Sequence, residues 1–234
     1  MKPALEALLK KERNLWRGRD QYYTRDILPT GHARLDTILP GGGWALGALT
    51  ELIPDCEGIG EFSLLLPALR QITGNGQWAA LINPPYIPYA PAMANAGLDL
   101  EHMLIVDTGN DADTLWSAEQ LLRSGTFQAV IVWLTKANAG QLRRLQLAAE
   151  SGGTWAVAYR HANAVSQHSP AALRIRLSPA SSKDSSGLKL QLIKVRGGAI
   201  HNLVIQGSEF DALQGVEWPG HEEYFCTHNP SGAP

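Results

Sequence analysis

The sequence predicts an α/β protein with a largely parallel β-sheet, flanking helices and a C-terminal antiparallel hairpin region. Three observations lead there. Strand-like and helix-like segments alternate between residues 48 and 160; residues 129–134 form a continuous apolar run, AVIVWL, as expected of a strand buried on both faces; and residues 172–206 hold three short alternating segments joined by turn-rich connections. At 234 residues the chain has room for one sizeable core.

Taken in order, Leu5, Leu8, Leu9, Leu15 and Trp16 fall roughly on one helical face, and Lys10, Lys11, Arg13 and Arg17 largely elsewhere, so residues 3–17 read as an amphipathic helix ended by Gly18. That helix either packs on its own domain or docks on another protein. ALTELI (48–53) reads as a strand, followed by a Gly-containing loop and a helix over 62–72. WAALIN (78–83) and MLIVD (103–107) read as strands around a Pro-rich loop, and residues 113–125 as a helix. Asn138 with Gln141 three residues on resembles a capping box, Leu142 and Leu145 give an apolar stripe, and Gly152 and Gly153 end that helix before the strand TWAVAYR (154–160). In LKLQLIKV, Leu188, Leu190 and Leu192 face one way and Lys189, Gln191 and Ile193 the other, a half-buried sheet.

The organisation expected is thus an N-terminal amphipathic helix and linker (1–24), a core (25–206) and a tail (207–234). The tail holds five acids and no Lys or Arg, so all 20 basic residues precede it, and it is expected to be disordered in isolation. Its Phe210, Trp218, Tyr224 and Phe225 are candidate anchors on a partner. The net charge of −2 argues against an obligate nucleic-acid binder. Two distant cysteines make neither a zinc pattern nor a disulfide framework, seven histidines show no metal-ligand spacing, and the N-terminus lacks a signal-peptide core; a cytoplasmic protein without metal or other cofactor is expected. Residues 71–98 carry no charge, but their asparagines and prolines oppose a membrane span.

A strand, a glycine-containing loop and a helix make the frame of a phosphate-binding loop. Here the loop reads PDCEGIGEFS (54–63). With Gly60 as the last loop glycine, Glu61 falls at the Lys position and Phe62 at the Ser/Thr position, and a slip that uses Ser63 only puts Phe62 at the Lys position. A carboxylate about 4 Å from a phosphate opposes it by roughly 4 kcal/mol at an effective dielectric near 20. Glu57 and Gly58 belong to the same loop, and Asp55 adds a further negative charge. The strand AVIVWL ends in Trp133 and Leu134 where a metal-holding Asp is required. ATP binding is therefore not expected. Trp133 reads either as an exposed partner anchor or as a packed core indole. Lys136, Arg143 and Arg144 are candidates for contact with nucleic-acid phosphates, or else a solvated helix face.

Residues 28–52, LPTGHARLDTILPGGGWALGALTEL, with Thr30, Gly31, Leu35 and Asp36 in a T-G-x-x-x-L-D pattern, resemble the leading strand of the RecA recombinase core. Ala96, Gly97, Leu98 and Asp99 match that family's L-G-V-D, and the segments from 172 and 188 match its closing hairpins. The resemblance covers roughly residues 25–206 and places Pro85 at the family's catalytic glutamate. Within the superfamily, the degenerate loop and the stretches EFSLLLPALRQITGNGQWAALINP and LLRSGTFQAVIVWL resemble two ATP-free branches, ImuA and SulA. The T-G-x-x-x-L-D segment, the closing hairpins and LWRG at 15–18 look ImuA-like.

That resemblance implies a non-catalytic accessory of SOS-induced translesion synthesis. Its implied partners are an ImuB-like Y-family polymerase homologue, RecA and an error-prone replicative-type polymerase, with single-stranded DNA as a further possible ligand. The SulA alternative implies inhibition of cell division through the tubulin-like protein FtsZ; a third alternative is a DNA-binding, ATP-dependent recombinase paralogue.

Overall fold

A computed structural model describes residues 26–134, 136–180 and 187–206. The proposed N-terminal helix, with Leu5, Leu8, Leu9, Leu15 and Trp16, and the acidic tail lie outside these residues. The chain enters through a two-stranded ribbon, β1 (Ile27–Leu28) antiparallel to β2 (Trp44–Ala45), with α1 (Ala33–Ile38) between them. The main sheet follows: β3 (Leu49–Pro54), α2 (Leu66–Gly74), β4 (Trp78–Ile82), α3 (Ala90–Asn95), β5 (Met103–Val106), α4 (Asp111–Ser124), β6 (Phe127–Leu134), α5 (Ala139–Gly152), β7 (Trp155–Arg160), β8 (Leu173–Pro179), β9 (Gly187–Val195) and β10 (Asn202–Gln206).

Eight strands pair in the order β10-β9-β8-β3-β7-β6-β4-β5. The six from β8 to β5 run parallel, and β9 and β10 close the sheet antiparallel, so the predicted class holds. The parallel core carries apolar residues on both faces, because helices cover both. In β4, Ala79 and Leu81 face the layer with α2, while Ala80 and Ile82 face that with α4 and α5. In β9, Leu188, Leu190 and Leu192 are buried and Lys189 is exposed, as alternation requires.

Local chemistry explains most boundaries. Asn138 and Gln141 form the expected reciprocal capping box, and Gly153 ends α5 in the left-handed conformation. The predicted helix over 62–72 starts later, at Leu66. Pro67 has no N–H to donate to the Ser63 carbonyl, so it is tolerated in the first turn and not inside a helix begun at 62. The Pro-rich stretch is also not all loop: Pro91 sits in the first turn of α3, where it likewise disrupts no hydrogen bond. The leading segment is not a single strand but two short strands paired as a ribbon with a helix between them, and it stays outside the main sheet. Its T-G-x-x-x-L-D residues have a structural task. The Asp36 carboxylate accepts from the Thr30 N–H at 2.9 Å, and Gly31, at φ 81°, lets the turn approach Pro67 so closely that a Cβ would lie 2.2 Å from that ring.

Candidate functional site at the degenerate phosphate loop

The parallel strands end along one edge, and the segments after β3, β4, β6 and β7 meet there. Ligands of open α/β sheets bind at this kind of edge. A cavity of about 590 Å³ opens between Asp55, Cys56, Glu57 and Glu61 after β3, Asn83 and Pro85 after β4, Trp133 and Leu134 at the end of β6, and Tyr159, Arg160 and His161 at the end of β7; contrary to the expectation from the sequence, Cys56 is disulfide-bonded. An apolar groove of about 290 Å³ adjoins it, sharing Glu61, Pro84, Pro85 and Trp133 and floored by Phe62, Leu66 and Met93.

The loop between β3 and α2 is shaped by Gly58 and Gly60, both at positive φ. The Glu61 side chain turns back on it, and its Oε1 accepts from the Gly58 N–H at 3.2 Å. An internal carboxylate thus takes a backbone donor of the kind a phosphate would use. Residues 61–65 form turns rather than a helical first turn, with Ser63 N–H on the Gly60 carbonyl at 3.0 Å and Leu65 N–H on that of Phe62 at 2.9 Å. Phe62 packs against the core, and its ring lies 6.2 Å from that of Trp133.

Trp133 in turn stacks on Tyr159 at 4.9 Å and 12°, so it is a half-buried indole that both packs on the core and lines the cavity. The Tyr159 hydroxyl donates to the Glu61 carbonyl at 2.9 Å. Burial, reinforced by the nearby Glu61 carboxylate, pushes the phenol well above its usual range and keeps it a donor.

Charge in the site is unevenly matched. Asp55 accepts a two-pronged contact from Arg176, at 2.7 and 3.2 Å, which raises the guanidinium above its ordinary value. Arg160 faces the cavity but is committed to Glu51, to the Ala137 carbonyl and to Gln167. Glu57 receives the Tyr86 hydroxyl at 3.2 Å, and among the described residues neither Glu57 nor Glu61 forms a salt bridge.

Of the residues singled out in the sequence, Glu57, Glu61, Pro85, Trp133 and Leu134 meet in one cavity, with Gly58, Gly60, Phe62 and Ser63 shaping its loop. Lys136, Arg143 and Arg144 are exposed and do not line the cavity; Arg144 pairs with Glu119 across the α4–α5 contact. Sequence reasoning missed Tyr86, Tyr159 and the buried trio Glu51, Arg160 and Arg174. Charged residues inside otherwise apolar strands were the available signal for the trio, since such groups are paired when buried. No cluster able to hold a metal occurs among the described residues, and no helix among them is long and apolar enough to cross a membrane.

Residues 48–156 match the family described as "Cell division inhibitor SulA". The chain is 27% identical to protein RecA of Bacteroides thetaiotaomicron over 136 residues, 55% of this chain and 41% of that protein. It is 30% identical to RecA of Xanthomonas euvesicatoria over 107 residues, 46% and 31%. It is 28% identical to the cell division inhibitor SulA of Edwardsiella piscicida over 89 residues, 38% and 53%. The crystal structure of SulA from Pseudomonas aeruginosa, 26% identical, aligns over 48% of this chain and 97% of that one with a TM-score of 0.43. The chain thus spans between about a third and about half of the length of these curated relatives. Residues 48–156, which hold the degenerate loop and most of the cavity, are SulA-like, and they sit in a chain that is also RecA-like over more than half its length.

Proposed function

We propose that this chain is a non-catalytic RecA-like accessory protein of the SOS response to DNA damage, acting in the cytoplasm by binding other proteins and not by turning over ATP. The observation that carries the reading is the Glu61 carboxylate on the Gly58 N–H. It puts negative charge, already attached, where a phosphate-binding loop offers its donors, while Phe62, Pro85 and Leu134 stand at the positions of the magnesium hydroxyl, the catalytic carboxylate and the metal Asp. A scaffold kept without its chemistry serves as a binding surface.

Two finer readings each have support. The elements outside residues 48–156, namely β1, α1, β2 and β8 to β10, favour an ImuA-type role in translesion synthesis and mutagenesis with an ImuB-like polymerase homologue, RecA and an error-prone replicative-type polymerase. The match over 48–156 favours a SulA-type division inhibitor that binds FtsZ. Affinity purification of the tagged protein from DNA-damaged cells separates them. Co-purification of a Y-family polymerase homologue supports the first, co-purification of the tubulin-like division protein the second, and the absence of both from crosslinked samples contradicts the proposal.

A further inference from the structure

The cavity and the apolar groove form one cleft whose two halves differ in chemistry. In the first, Glu57 and Glu61 face the opening without a cationic partner among the described residues, beside the Trp133 ring; Asp55 is neutralised by Arg176, Arg160 is held by Glu51, and His161 completes the rim. In the second, Phe62, Leu66 and Met93 form an apolar floor, and the loop above leaves Tyr86 71%, Ile87 96% and Tyr89 68% exposed. Large side chains this exposed, side by side at the rim of a groove, mark an interaction surface.

Resting on the reading of a non-catalytic, partner-binding protein, we infer that this cleft docks a short segment of a partner protein in which a Lys or Arg adjoins an aliphatic or aromatic residue. The basic group meets Glu57 and Glu61 over the Trp133 ring, and the apolar neighbour fills the groove beneath Ile87. Charge selects this occupant. Nucleotides are repelled by the same carboxylates.

Random dodecapeptides displayed on phage and selected on the full-length protein test this, with the enriched peptides measured by fluorescence anisotropy at low and high salt. Enriched sequences are expected to share a Lys or Arg next to Leu, Ile, Phe or Trp. Affinity should fall about tenfold or more in Glu57→Gln/Glu61→Gln and, separately, in Ile87→Ser, with salt weakening only the contribution lost in the first variant. Peptides without a basic residue, or binding indifferent to both variants, would overturn the inference. A comparable gain in peptide affinity on Lys10→Glu/Lys11→Glu/Arg13→Glu, or on removal of residues 207–234, also overturns it, by giving the cleft to one of the chain's own terminal segments. Failure on any of these counts leaves the non-catalytic reading intact, because that reading falls only on nucleotide binding or on the purification from damaged cells.

Discussion

Glu51→Gln is expected to lower the stability of the fold by about 3–5 kcal/mol, the usual cost of leaving buried charge without its partner. Glu51 is fully buried on β3. Its Oε1 accepts from Arg160 Nη1 at 2.8 Å and its Oε2 from Arg174 Nε at 2.5 Å, so one carboxylate ties β3 to both of its neighbours. The two guanidinium groups reach on to the Ala137 and Ala164 carbonyls and to Gln167, which fixes the segments after β6 and β7. Two cations already outnumber one anion here. Lys194 adds a third, and its charged form is disfavoured by burial and then by Arg196 and Arg174, with Glu51 opposing. An amide at position 51 keeps the volume but removes the only negative charge in the group. At roughly 2–4 °C per kcal/mol for a domain of this size, the midpoint of thermal unfolding should fall by about 10 °C. The triple variant Glu51→Leu/Arg160→Met/Arg174→Met should lie far closer to the parent, since removing the whole network removes its desolvation cost as well. A single variant as stable as the parent would contradict the assignment.

Trp155→Ala is expected to cost a similar amount, about 3–5 kcal/mol. The indole is fully buried at the start of β7, donates to Thr50 Oγ1 at 3.3 Å, and stacks on Trp44 at 5.1 Å and 21°. Trp44 belongs to the ribbon of the leading segment, so this stack holds residues 26–46 to the main sheet. Truncation should therefore bring, besides a lower unfolding midpoint, faster amide exchange at Ile27, Leu28, Trp44 and Ala45 than in the sheet core. Unchanged exchange in the ribbon would mean that other contacts hold it.

How far the sequence discloses this molecule depends on the range of the interaction concerned. The capping box at Asn138 and Gln141, the alternation in β9 and the continuous run of β6 are local signals, and each produced the element it implies. The late start of α2 and the presence of α3 were equally local. The 62–72 pattern treats Pro67 as interior to a helix and the Pro-rich stretch as loop, whereas Pro67 and Pro91 both occupy first turns, where proline is compatible with a helix. The cavity's composition was legible in part. Glu61, Phe62, Pro85 and Leu134 could be aligned to a phosphate-binding frame one position at a time. The stack of Phe62, Trp133 and Tyr159 and the Glu51 network join residues up to 123 positions apart, and periodicity carries no record of such pairings; the return of Glu61 onto Gly58 spans only three residues but depends on the positive φ of the loop glycines.

Titration of the purified full-length protein with ATP and magnesium in a calorimeter tests most directly whether this is a RecA-like scaffold without its nucleotide chemistry. With Glu61 seated on the loop and Glu57 beside it, the heats should not exceed those of dilution at any nucleotide concentration reached. Saturable binding with a dissociation constant in the micromolar range, about −8 kcal/mol, abolished by substitutions at Gly58 and Gly60, would contradict the account.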